Sequence, residues 1–162
     1  MKMNKSWIAN GVTATNALFG GLSIMMSISG EYHVAAVCIL IAMIADALDG
    51  RVARALHTAG PMGVELDSLS DDISFGIAAG ALMYAYQLKE LGALGFIPCA
   101  LLGAFCAFRL ARFNIKANAV HGYFEGLPCP TVGVIIACYV LSGVKIWNWV
   151  AMVFVLLLAF LM

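Results

Sequence analysis

Four aspartates, Asp46, Asp49, Asp67 and Asp71, stand in an otherwise apolar chain, in the run ADALDGRVARALHTAGPMGVELDSLSDD. A carboxylate at the centre of a bilayer helix costs about 2.5–3.5 kcal/mol even on lenient insertion scales, so four together demand compensation. Asp46 and Asp49 are spaced i,i+3, and Asp67 and Asp71 are spaced i,i+4, which puts each pair on one face of its helix. A hairpin between the two helices can bring those faces together. Carboxylates about 4 Å apart repel by about 4 kcal/mol per pair at an effective dielectric of 20, so a bound divalent cation is the natural partner. Hard oxygen donors without accompanying Cys or His select magnesium, manganese or calcium over zinc, and four of them suit one or two ions. An inward-facing aspartate can also take a proton from an attacking hydroxyl. Asp71 is the candidate base, and Asp72, next to it, is expected to point off the face as a supporting or helix-end charge.

The residues around the acids extend this chemistry. Gly50 and Ala53 continue the face of Asp46 and Asp49 and leave a shallow trough, and Arg54 carries the face toward the following loop. A guanidinium there can grip phosphate with two parallel hydrogen bonds. Small residues in membrane helices otherwise serve close packing, and a lone Arg sets topology. Beside the acids, they fit phosphoryl chemistry on a lipid-linked diphosphate.

The elements that must position these groups are membrane helices. With 162 residues, 63% hydrophobic, 11% charged and a mean hydropathy of +0.95, the chain carries more apolar surface than one soluble core of its length can bury. Hydropathy divides it into six spans, about 7–29, 32–56, 66–87, 91–113, 128–144 and 146–162, the last two brief. Breaks fall at Ser29-Gly30-Glu31, Thr58 to Pro61, Lys89-Glu90, Asn114 to Gly126 and Ser142-Gly143. The fold class is therefore an all-α, six-helix membrane bundle, one domain over residues 1–162, with consecutive helices expected as antiparallel neighbours across short loops. No cleavable leader is expected, because polar Asn10, Thr13, Thr15 and Asn16 interrupt the first apolar run.

Charge sets orientation. Lys2, Lys5, Arg51, Arg54, Arg109, Arg112 and Lys116 fall on one side, and only Lys89 and Lys145 on the other. The first side, which also carries the acids, is expected to face the cytoplasm. Cations scattered through membrane segments form no continuous basic face, which argues against nucleic acid as a partner. The five cysteines, Cys38, Cys99, Cys106, Cys129 and Cys138, are widely spaced in apolar surroundings, with no CxxC pair, and read as small buried hydrophobes.

Asp46, Asp49, Gly50, Ala53, Arg54, Gly63, Asp67 and Asp71 match the pattern D-x2-D-G-x2-A-R-x8-G-x3-D-x3-D, which resembles the signature of the CDP-alcohol phosphotransferase family. The resemblance implies a six-helix membrane enzyme, usually a homodimer, in which an alcohol displaces CMP from a CDP-linked donor. It also implies that Asp46, Asp49 and Asp67 bind divalent metal, Mg2+ or Mn2+, and that Asp71 binds metal and acts as general base. Asp49, Gly50, Ala53, Arg54 and Gly63 then belong to the CDP site. Thr13 and Asn16, on one face of the first helix, either reach phosphate or cytosine there or hydrogen-bond between helices.

Flanking segments resemble the phosphatidylserine synthase branch: Thr13 to Gly20, Glu65 to Gly76, Arg109-Leu-Ala-Arg-Phe-Asn114 and Gly126-Leu-Pro-x-Pro130. The implied donor is CDP-diacylglycerol or a CDP-linked ether lipid, held among membrane lipids, and the implied acceptor is L-serine. Serine's carboxylate wants a cation, which Arg109 and Arg112 can supply at i,i+3, with Lys116 a weaker candidate and headgroup anchoring the competing role. Pro128 and Pro130 begin or bend the fifth helix and shape the pocket. Glu125 is a candidate for serine's ammonium and His57 for a substrate contact, whereas His33 and His121 read as solvated interface residues. Acceptors such as glycerol 3-phosphate or inositol phosphate remain alternatives within the family, and a divalent-cation transporter is the alternative outside it.

Overall fold

In lipid every backbone polar group must be satisfied within its own segment, so long apolar runs become helices. The computed structural model describes the backbone of residues 5–56, 60–117 and 126–162, and the side chains of 10–51, 60, 62–115 and 126–162. The elements are α1 (Lys5–Ile28), α2 (Tyr32–Leu56), α3 (Pro61–Asp71), a π-helical turn (Asp72–Ile77), α4 (Ala78–Tyr86), a 3-10 turn (Leu88–Leu91), α5 (Ala93–Ala117), α6 (Cys129–Leu141) and α7 (Asn148–Leu161). No strand occurs among the described residues. The backbone stays right-handed helical at both ends of the π-turn, at Asp71 (φ −63°, ψ −42°) and at Ala78 (φ −67°, ψ −40°). Pro61 to Tyr86 is therefore one continuous rod, and the bundle is all-α with six rods.

Of three features, two depart from expectation and one, the brevity of α6 and α7, agrees with it. The third rod starts at Pro61 and not at 66, because Gly60 is extended and Pro61 supplies a preset φ for the first turn. Helices α6 and α7 have 13 and 14 residues, about 20 Å at 1.5 Å per residue. Among the described residues, three segments are long and apolar enough to cross a membrane: Asn10–Ile28, Tyr32–Arg51 and Ala93–Ile115. Chain neighbours, finally, are not always space neighbours. Helix α1 packs along α2, but α2 then packs on α6, α3 on α1, and α7 on α5, while α2 against α3 and α6 against α7 make little contact. The acid-bearing faces of α2 and α3 cannot lie flush, and α1 fills the space beside them.

That insertion is possible because of Gly20. A Cβ there would sit 2.9 Å from the Ser74 Cα, so only glycine lets α1 cross the π-turn in backbone contact. Ser74 Oγ secures the crossing by donating to the Asn16 carbonyl at 3.0 Å. The apolar core that the rods share includes Ile39, Phe75, Leu82, Leu102, Ile136 and Val155, all fully buried. At the other end of the third rod, buried Gln87 donates from Nε2 to the Ile146 carbonyl and to Asn148 Oδ1, and accepts from the Tyr139 hydroxyl.

Candidate active site

The four aspartates converge. Helices α2 and α3 each present two carboxylates a turn apart, and one oxygen from each of Asp46, Asp49 and Asp67 lies within 4.8 Å of the others. Asp71 lies within hydrogen-bonding range of Asp46, and Asp49 within range of Asp67 and Thr13. Asp49 and Asp71 are buried, and Asp46 and Asp67 are partly so. Asp49 Oδ2 and Asp67 Oδ1 are buried without a hydrogen-bond partner. A carboxylate oxygen left in that condition is costly, and an all-oxygen donor set of this spacing suits a hard divalent cation. The residues present therefore fit such an ion.

Helix α1 supplies the support. Asn16 is fully buried, and its Nδ2 donates to Asp71 Oδ1 at 3.0 Å. This contact selects the interhelical role for the Asn16 amide nitrogen and orients the Asp71 carboxylate. Thr13, 6% exposed, faces Asp49 from the turn before. Gly63 lies on α3 one turn before Asp67 and faces α1, where a Cβ would meet Asn10 Oδ1 at 3.9 Å. Gly50 is partly buried on α2, one residue past Asp49. Ala53 and Arg54 belong to the last turns of α2, and their side chains lie outside the described ones, as does that of Lys116 on α5. His57, His121 and Glu125 lie outside the described residues altogether.

The two arginines proposed for the acceptor part company. Arg109 is partly buried and turned inward, with Nη1 3.6 Å from Cys129 Sγ, whereas Arg112 is exposed. Asn114 at the end of α5 donates to Ser68 Oγ at 3.0 Å, tying that helix to α3 beside Asp67. Pro128 caps α6, and Pro130 lies in its first turn. His33 is exposed, as expected.

Sequence reasoning missed the surroundings of Asp72. It is not a helix-end charge: it opens the π-turn in mid-rod, where the Ala78 N–H reaches back five residues to the Ile73 carbonyl. Its Oδ1 is buried without a partner. Of the five cysteines, Cys38, Cys99, Cys106 and Cys129 are buried and Cys138 is exposed, all free. Cys106 and Cys129 are fully buried in the apolar core, as expected, and lie against each other with Asp72 and Arg109 at its edge. The adjacency of Asp71 and Asp72 was the only sequence signal for a second polar face on this rod.

Residues 6–161 match the CDP-alcohol phosphatidyltransferase family. Among curated proteins, the chain is 39% identical over 137 residues to a CDP-diacylglycerol–serine O-phosphatidyltransferase of Helicobacter pylori, covering 84% of this chain and 58% of the relative. It is 36% identical over 133 residues to an archaetidylserine synthase of Methanothermobacter thermautotrophicus, covering 79% and 55%. A CDP-diacylglycerol–serine O-phosphatidyltransferase of Bacillus subtilis is 36% identical over 123 residues, covering 75% and 68%. The chain thus spans little more than half the length of the first two.

Proposed function

The chain belongs to the CDP-alcohol phosphatidyltransferase family, and on that premise we propose that it transfers a phosphatidyl group, or its ether-lipid equivalent, from a CDP-linked lipid to the hydroxyl of L-serine, releasing CMP. The single observation that carries this reading is the convergence of Asp46, Asp49, Asp67 and Asp71, with orphaned buried oxygens, in a chain whose relatives are named for transfer to serine. The whole of residues 1–162 acts as one multi-pass membrane domain, as a homodimer, with the acids opening to the cytoplasm.

Asp46, Asp49, Asp67 and Asp71 would hold a divalent cation, Mg2+ or Mn2+, which when bound neutralises charge on the diphosphate and acts as a Lewis acid. The chain's own groups do the rest. Thr13, Gly50, Ala53, Arg54 and Gly63 line the side on which the CDP moiety lies, the glycines and alanine by leaving room and Arg54 by pairing with phosphate. Asn16 holds Asp71 in place, and Asp71 takes the proton from serine's hydroxyl. The hydroxyl oxygen bonds to the lipid-bearing phosphorus as the bond to CMP breaks, and the proton stays on Asp71 until product leaves. Direct displacement of this kind inverts configuration at phosphorus. Arg109 receives serine's carboxylate, and Arg112, being exposed, attracts anionic headgroups and substrate toward the site.

CMP release by the purified protein, with CDP-diacylglycerol as donor and a panel of acceptors, tests the assignment. Release that needs L-serine and divalent metal is the expected result. Release with glycerol 3-phosphate or inositol phosphate in serine's place would move the acceptor, and cation flux without CMP release would contradict the assignment.

A further inference from the structure

Asp71 and Asp72 are adjacent, yet they serve different sides of the third rod. Asp71 faces α1 and Asp46. Asp72, at the start of the π-turn, faces α5 and α6. A Cβ on Gly76 would lie 2.7 Å from Asp72 Oδ1, 2.9 Å from Cys106 Cβ and 3.2 Å from Gly103 Cα, so the carboxylate sits in the seam where the π-turn meets α5. The Cys106 thiol is turned toward it. From α5, one helical turn beyond Cys106, Arg109 enters the same seam and sets Nη1 3.6 Å from Cys129 Sγ at the head of α6.

This cluster is built but not closed. Asp72 Oδ1 and Arg109 Nε are both buried, and neither has a hydrogen-bond partner. Opposite charges that share a seam ordinarily meet; here each meets a thiol instead, Cys106 for Asp72 and Cys129 for Arg109, and each keeps an unsatisfied atom. Buried polar atoms in that state point to a missing partner. A ligand that satisfies both offers a donor to one atom and an acceptor to the other, and a cation and an anion carried together do so most strongly. An α-amino acid does so on a single carbon, and in a 2-amino-3-hydroxy acid the hydroxyl is one carbon further on.

We propose that Asp72 and Arg109 form a clamp for the zwitterion of the acceptor amino acid, with Asp72 Oδ1 taking the ammonium and the Arg109 guanidinium the carboxylate, while the Cys106 and Cys129 thiols floor the seam between them. The proposal rests on the reading of the chain as a serine transferase and deepens it by assigning the ammonium contact. The clamp selects by charge pattern: acceptors lacking either charge leave one buried group unpaired, which a site built for that charge rejects.

The test uses the full-length protein with CDP-diacylglycerol and Mn2+, and compares L-serine, ethanolamine, which lacks the carboxylate, and 3-hydroxypropanoate, which lacks the ammonium. For the unaltered protein, kcat/KM falls by about tenfold or more for each single-charge acceptor, the loss of one charge-assisted hydrogen bond. Asp72→Asn raises KM for serine by about tenfold and narrows the gap between serine and 3-hydroxypropanoate; Arg109→Gln narrows the gap between serine and ethanolamine, and Arg109→Lys restores part of it. KM for CDP-diacylglycerol stays within about twofold in all three, a split that general damage to the fold would not leave. Serine-dependent release with an unaltered serine KM in both Asp72→Asn and Arg109→Gln would overturn the clamp alone. Equal use of 3-hydroxypropanoate and serine by the unaltered protein would also overturn it, whatever the variants do. Absence of serine-dependent release would remove the serine assignment itself, and the clamp with it.

Discussion

The third rod carries two buried polar clusters, the acids in its first half and Gln87 just past its far end, and they are satisfied very differently. Around Gln87 every side-chain amide atom has a partner: Ile146 and Asn148 accept from Nε2, the Tyr139 hydroxyl donates to Oε1, and Asn148 passes the chain on to Glu90 at 2.6 Å. Around Asp67 and Asp71 the acids crowd together, and Asp49 Oδ2, Asp67 Oδ1 and Asp72 Oδ1 are left without partners. A closed network rigidifies a fold, whereas an open one in the same helix stores unfavourable desolvation until a ligand relieves it. The contrast separates a joint from a site without appeal to any motif.

The sharpest way to break the contrast is at Asp71. Asp71→Asn keeps the shape and the Asn16 contact but cannot accept the hydroxyl proton, and it should lower CMP release by about 100-fold or more while the protein still folds. Full activity in that variant would remove the general-base role. Asp67→Asn should act in two opposite directions. Metal-dependent transfer falls steeply, yet the metal-free protein gains about 1–3 kcal/mol of stability, because one of several repelling carboxylates within 4.8 Å is neutralised. Thermal unfolding in detergent with chelator reads the gain, and a lower midpoint would show that the acids are not in net repulsion.

Asn16→Leu removes the donor to Asp71 and should reduce kcat about tenfold with little change in KM for the donor lipid, measured by steady-state CMP release. The smallest effect on chemistry belongs to the other end of the rod. Gln87→Ala should cost about 1–3 kcal/mol of stability by orphaning Tyr139 and Asn148, and leave the turnover of the folded protein unchanged. If Gln87→Ala lost activity while keeping its unfolding midpoint, the division between joint and site would fail.

What could be read from the residues alone follows the range of the interaction involved. The i,i+3 and i,i+4 spacing of the acids is a local property of helices, and it carried through to a converged cluster; the six apolar runs likewise became six rods. The partners of those rods were not legible. Short loops limit where a helix can start, but they do not decide that α2 packs on α6 and α7 on α5. The π-turn is tertiary in origin, since Gly20 presses α1 against Ser74 and Gly76 presses α5 against Asp72, and no sequence period announces it. For that reason Asp72 reads from the sequence as a supporting or helix-end charge, and its contact with Cys106 is not legible there. The start of the third rod at Pro61 was legible in hindsight from Gly60-Pro61, a helix-entry pair that hydropathy passes over.

The central claim is that these carboxylates are held together for a cation, and metal-induced stabilisation tests it most directly. Purified protein stripped with chelator should show an unfolding midpoint that climbs as Mn2+ is added to the unaltered chain and stays flat in the Asp49→Asn, Asp67→Asn double variant. A flat response in the unaltered chain, or an equal climb in both, would contradict the account.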